Sequence, residues 1–176
     1  MIIMRQVEVV EPVSIEYNEY VPLTITWRNA SEVLESPVYV VRRDENGYLE
    51  LKFHPSTGIL IEVVLAAASG LIVEQMSLSP LSSEDASLMP FLDSSDRVPE
   101  TGSPLVIKAY PDYLYLSFGP DADRWAGSGP VLFGLAGAQG LAAICARWTA
   151  SERESVLAGQ PGQDAPASDG SVSGSA

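Results

Sequence analysis

The sequence contains one cysteine, Cys145, and one histidine, His54. A lone thiol makes no internal disulfide, and these two residues cannot supply the ligand set of a usual zinc site. Asp121-Ala122-Asp123 lacks the further spaced acids and glycine of a calcium loop. No metal is expected. A Ser-His-Asp or Cys-His mechanism would have to pass through His54. Strand alternation puts His54 on the opposite face from Leu51 and Phe53, outward at a strand end beside Pro55, with no nucleophile supplied to it. Cys145 sits in Leu141-Ala142-Ala143-Ile144-Cys145-Ala146 and reads as an inert core thiol. The expectation is a non-enzyme with no cofactor.

Basic residues are also scarce, 10 against 23 acids, giving a formal charge of −13 that repels phosphate backbones and anionic lipid surfaces. Neither a nucleic acid nor a membrane is expected as partner. No apolar run approaches the roughly 20 residues of a membrane-spanning helix. Met1-Ile2-Ile3-Met4-Arg5 runs into Glu8 and Glu11 rather than into the apolar stretch of a signal peptide, so a cytoplasmic protein is expected. The glycine-rich run 134–140 has neither dinucleotide-binding spacing nor a following Lys-Ser/Thr, and reads as a hairpin loop.

What is present is a chain of 176 residues, 46% hydrophobic, enough for one core without disulfides. A single β-rich domain is expected over 1–159. From Gly159 onward Gln, Pro, Gly, Ser and Ala dominate, with Val172 the only branched aliphatic, so a disordered tail is expected over 160–176.

The folded part alternates with a period of two. Val21, Leu23, Ile25 and Trp27 share one face, Thr24, Thr26 and Arg28 the other, as in a half-buried strand. Residues 38–43 meet 48–53 across Asp44-Glu45-Asn46-Gly47, read as a type I turn with Gly47 at positive φ in a bulge. That register sets Tyr39 and Val41 against Phe53 and Leu51, and Arg42 against Glu50. Pro55-Ser56-Thr57-Gly58 then turns the chain into 59–65, completing a meander.

A second meander is expected from 105–110, 113–118 and 131–135, with 141–148 as its last strand. Tyr48-Leu49-Glu50-Leu51-Lys52-Phe53-His54-Pro55 aligns with Tyr113-Leu114-Tyr115-Leu116-Ser117-Phe118-Gly119-Pro120, which raises pseudo-symmetric halves over 20–76 and 104–149. Between them, 77–103 is acidic and rich in Ser and Pro. Its apolar cluster Leu88, Met89, Phe91 and Leu92 calls for a helical turn or docking on the sheet. One helix is expected, 150–158, with Thr149 and Glu152 as a capping box and Gly159 as its stop. The fold class is mainly β: antiparallel meanders in a sandwich or barrel-like sheet with one short C-terminal helix.

Carboxylate pairs, including Glu84 with Asp85, Asp93 with Asp96, and Asp121 with Asp123, are expected to be solvated loops rather than a catalytic acid and base. Acidity draws cationic partners. The leading expectation is a non-catalytic protein that binds a basic protein, most concretely an immunity-type inhibitor of a basic bacterial toxin domain. Its partner-binding residues would be Glu84, Asp85, Asp93, Asp96, Glu100, Asp121 and Asp123 for steering, with Phe91 and Trp125 as anchors. A second expectation is a small β-barrel that binds or transforms an apolar molecule, lined by inward aromatics such as Tyr113, Tyr115 or Trp148. A third is a structural component of a phage or other large assembly.

Overall fold

Leu23, Ile25 and Trp27 are buried while Thr24 and Thr26 turn outward, and this alternation makes Leu23–Trp27 a two-faced strand that must find a cover. The cover is a second sheet. The structure is a computed structural model and describes residues 2–7, 12–27, 34–78, 88–93, 103–127, 129–137 and 140–160. The expected tail lies outside the described residues beyond Gln160.

In chain order the strands are β1 (Ile2–Gln6), β2 (Val13–Glu16), β3 (Leu23–Trp27), β4 (Val38–Asp44), β5 (Gly47–Phe53), β6 (Leu60–Ala67) and β7 (Leu71–Val73). They continue with β8 (Leu88–Leu92), β9 (Val106–Ala109), β10 (Tyr113–Ser117), β11 (Arg124–Ala126), β12 (Val131–Ala136) and β13 (Gly140–Arg147), before the helix α1 (Ala150–Ala158). The smaller sheet runs β2-β3-β6-β5-β4. The larger runs β11-β12-β13-β10-β9-β7, with β1 attached to β13 and β8 to β1. Every pairing is antiparallel except β7 with β9.

The two sheets face each other over one core. Leu49, Leu51, Phe53, Val63 and Leu65 of the smaller sheet meet Ile107, Leu114, Leu116, Phe133 and Ile144 of the larger. Trp27 stacks on Phe133 across the gap at 6.1 Å. Each such side chain taken fully out of water contributes about 1.5–3 kcal/mol. The result is an antiparallel sandwich, not a closed barrel.

The β4–β5 hairpin departs from its expected register by one residue. Asp44 pairs with Gly47 across a two-residue turn, so Val40 lies opposite Leu51, Tyr39 opposite Lys52, Val41 opposite Glu50 and Arg42 opposite Leu49. A one-residue slip exchanges the faces of a strand. Val40 is therefore the buried residue, while Tyr39 and Val41 face solvent at 52% and 43% exposure.

The cause is tertiary. Positive φ occurs among the described glycines at Gly58, Gly127, Gly129 and Gly137, and not at Gly47. Gly47 answers instead to space: a Cβ there would lie 2.5 Å from the Ala67 carbonyl oxygen and 2.8 Å from Ile107 Cδ1. The turn docks on the facing sheet. Asp44 Oδ2 accepts from the Leu105 N–H at 2.6 Å, Asn46 Nδ2 donates to the Leu105 carbonyl at 2.9 Å, and the Asn46 carbonyl accepts from the Gly70 N–H at 2.8 Å. Asp44→Ala is expected to cost roughly 1–3 kcal/mol, the range for leaving a donor unmatched. Urea denaturation measures it, and a midpoint unchanged from wild type would mean the clasp carries no weight.

The second meander is also rearranged. β10 pairs with β13 rather than β12, so the last strand inserts between two earlier ones. Residues 141–146 are buried on both faces, as a central strand requires. The similar segments starting at Tyr48 and Tyr113 fall on β5 and β10, each the second strand of a hairpin. Their other neighbours differ: β6 follows β5 directly, whereas β13 comes to β10 from far along the chain.

The apolar cluster of 77–103 docks on a sheet. β8 pairs along β1, Ile59 bridges to Phe91, and the Leu92 N–H donates to the Gly58 carbonyl at 2.8 Å, so β8 touches both sheets. Pro90 is tolerated there because its nitrogen, like the Leu92 N–H two residues on, faces away from β1, where β8 makes an isolated bridge rather than a ladder. The helix matches its expected bounds. Thr149 Oγ1 accepts from the Glu152 N–H, and the Glu152 carboxylate accepts from the Thr149 N–H at 2.6 Å. Val156 is fully buried and Leu157 packs beside the core.

Candidate functional site

Five of the expected partner-binding residues are described: Phe91, Asp93, Asp121, Asp123 and Trp125. Glu84, Asp85, Asp96 and Glu100 lie outside the described residues. Strand pairing gathers most of the five at one end of the larger sheet. Ile3 lies opposite both Gly140 and Phe91, so β13, β1 and β8 run side by side there. Two strand spacings separate Gly140 from Phe91, about 10 Å. On the other side of the β12–β13 turn, the Asp123 N–H donates to the Leu135 carbonyl at 2.8 Å, and Asp123 Oδ2 accepts from the Gly137 N–H at 3.2 Å.

Within this end the acids differ in freedom. Asp123 is committed to holding its loop on the hairpin, assisted by Arg124, whose Nη2 donates to the Gly137 carbonyl at 3.1 Å. Asp121, two residues earlier, is exposed. Phe91 is half-buried with the Arg5 guanidinium 5.4 Å from its ring centroid. Such a cation stacks on the ring face and covers apolar surface with its stem.

Trp125 points elsewhere. It pairs with Gly134, whose missing side chain makes room for the indole: a Cβ there would lie 3.0 Å from Trp125 Cη2. The indole also tilts against Tyr115 at 6.1 Å, and Tyr115 meets Tyr110 edge-on at 6.2 Å. These rings, with Tyr113, Leu132 and Leu78, form a second apolar cluster on the outer face of the larger sheet. Tyr113 and Tyr115 therefore stand on the outside. Of the three aromatics expected to line an interior, only Trp148 is in the main core.

Cys145 lies beneath that outer cluster, fully buried. Burial pushes its thiol far up from its ordinary value, with the Asp112 charge adding in the same direction, so the thiolate nucleophile is suppressed. His54 is spent locally: its Nδ1 accepts from the Ser56 N–H at 3.2 Å and the Thr57 N–H at 3.4 Å, closing the turn into β6.

Sequence reasoning missed a groove beside the outer cluster. It holds about 460 Å³, opens to solvent, and is lined by Val73, Glu74, Gln75, Met76, Leu78 and Tyr110 among others. Met76 at its rim is 80% exposed. The segment that builds it, β7 and the residues after it, is too short for a legible alternation. Its one marker is the pair Glu74 and Lys108, joined at 3.0 Å across the parallel β7–β9 contact. Among the described residues, no group of three or more His, Cys, Asp or Glu side chains is placed to hold a metal ion.

The chemistry on display is that of an acidic sandwich whose only thiol and imidazole are occupied structurally. The chain matches no protein-family model and no curated protein.

Proposed function

We propose that this chain is a non-catalytic binding protein for a basic protein partner. The observation that carries the proposal is a formal charge of −13 on a sandwich whose interior is filled by its own side chains. A carrier of an apolar ligand needs an enclosed space between the sheets. Here Leu49, Phe53, Leu116, Ile144 and Trp148 occupy it. Function then falls to the exterior, where net charge governs which partners are drawn in and how fast.

The end of the larger sheet that bears Phe91, Asp93, Asp121 and Asp123 is the proposed contact. Exposed Asp121 steers a cationic surface inward, and Phe91, held beneath Arg5, is the apolar anchor once Arg5 swings onto the partner or solvent. The narrowest form of the proposal is an immunity-type inhibitor that covers a basic toxin domain. That form makes a further demand: co-expression of this chain must rescue cells from the captured partner.

Capture on the immobilised chain at low salt, followed by titration of the purified partner, tests the reading. The captured protein is expected to be basic, and its association rate to fall by tenfold or more, as an order of magnitude, between about 0.05 and 0.5 M salt. Phe91→Ala is expected to weaken binding by about 2 kcal/mol at fixed salt. Failure to recover a basic partner from the native host, or affinity indifferent to salt, would overturn the proposal.

A further inference from the structure

β4 is the outermost strand of the smaller sheet, seven residues long, with no register break against β5. Natural sheets blunt such edges with prolines, bulges or inward charges, because an open edge templates another strand. β4 contains neither proline nor bulge; its inward charges stand toward the turn end, Asp44 spent on the Leu105 N–H and Arg42 next to it on the Val40 face. Its outward face instead shows Tyr39 and Val41, and Val38 at its start is a further exposed apolar residue at 42%.

The backbone phase of this edge follows from the two-residue turn. Asp44 and Gly47 form the first hydrogen-bonded pair, so residues 44, 42, 40 and 38 spend their backbone groups on β5. Tyr39, Val41 and Arg43 then turn theirs to the open side. These same three residues project their side chains from the outer face.

We propose that β4 pairs antiparallel with β4 of a second copy of this chain, centred on Val41. In that register Val41 meets its own copy across the two-fold axis, and Tyr39 of each chain lies opposite Arg43 of the other. Of the centres that bring these groups into phase, Val41 is the one that pairs Tyr39, Val41 and Arg43 wholly among themselves. Each contact occurs twice, as an isologous interface demands. The side chains are complementary: each guanidinium meets an aromatic ring whose other neighbour is Lys52, with Nζ 5.9 Å from the Tyr39 centroid. On the outer face the local cation Arg43 sets this edge apart from the rest of an anionic surface and turns away a basic partner's strand. A second copy supplies both the aromatic and the guanidinium at the reciprocal positions. The product is a continuous two-chain sheet.

An edge-to-edge contact is small, so the dimer is expected to dissociate on the order of ten micromolar. Each copy carries −13, so their general repulsion is screened by salt and association should tighten several-fold from about 0.05 to 0.5 M. This trend is opposite in sign to that of a basic partner, which separates the two proposals. Sedimentation of the full chain over a concentration and salt series reads it directly.

Val41→Lys places two like charges face to face and should abolish the dimer while far-UV circular dichroism stays unchanged. Val41→Cys should give a disulfide-linked dimer on mild oxidation, since facing residues in a hydrogen-bonded pair have Cα atoms about 5.5 Å apart, within disulfide reach. Glu50→Cys, one strand further in, should not cross-link. A monomer at every soluble concentration and salt, or a dimer indifferent to Val41→Lys, or cross-linking through Glu50→Cys instead, overturns the proposal.

Discussion

Replacement of Trp27 by alanine is expected to lower the unfolding free energy by about 3–5 kcal/mol. Trp27 is 2% exposed and ends β3, where the indole crosses to the larger sheet and stacks on Phe133. Truncation loses the transfer energy of the ring and leaves a gap that two flanking sheets cannot close by local adjustment. Against a total near 5–15 kcal/mol for a domain of this kind, the variant should be marginal. Chemical denaturation measures the loss, with the remaining tryptophans Trp125 and Trp148 as probes. Tyr39→Ala, on the solvent face of β4, should change stability by no more than about 0.5 kcal/mol. If both variants lost the same small amount, the sheets would not be packed through Trp27.

Alkaline pH should unfold the protein earlier than its acidity alone would suggest. Burial raises the folded-state value of the Cys145 thiol, with Asp112 adding to it, and burial followed by the Glu152 charge raises that of the Tyr17 phenol. Both groups ionise more readily in the unfolded chain, at about 8.5 and 10. The stability they contribute is therefore fully present below those values and declines as pH climbs toward the folded ones, by about 1.4 kcal/mol per pH unit per group. From pH 8.5 to 11 the fully buried thiol alone accounts for roughly 3 kcal/mol. Tyr17 adds a smaller share above pH 10, because its phenol is only partly buried and solvent screens it, although the bond that it donates to the Arg147 carbonyl at 2.8 Å favours the neutral form. Urea titrations across this range should show Cys145→Ala with a flatter decline below pH 10. A profile superimposable on wild type would remove the thiol from the explanation.

How much could be read beforehand depends on whether a rule is local. Thr149 and Glu152 are three residues apart, and the capping chemistry they encode needs nothing from the rest of the molecule, so the helix was legible to the residue. β3 was legible for the same reason, its alternation being self-contained. The β4–β5 register was not, because Asp44 and Asn46 reach Leu105, about sixty positions away in the chain, and that bond selects the tighter turn. The placement of β13 between β10 and β12 likewise rests on long-range pairing, although its run of small apolar residues marks a strand covered on both faces.

The candidate site divides in the same way. Cys145 could be assigned its buried place from its immediate neighbours, whereas His54 read only as an outward residue and its bonds to Ser56 and Thr57 emerged with the fold. That Phe91 and Asp123 approach a common end could not, since it depends on Ile3 pairing with both Gly140 and Phe91. The outer aromatic cluster escaped notice because Gly134 is a vacancy in the sequence, and only the fold shows that Trp125 fills it.

The late position of β13 has a consequence for biosynthesis. The smaller sheet from β3 to β6 can assemble once Ala67 has left the ribosome, but β10 and β12 then wait, side by side with a missing strand, until Arg147 emerges. During that interval two apolar edges lie open, so premature termination before that point would leave a half-built product prone to clumping, whereas loss of residues after Gly159 would spare every described strand.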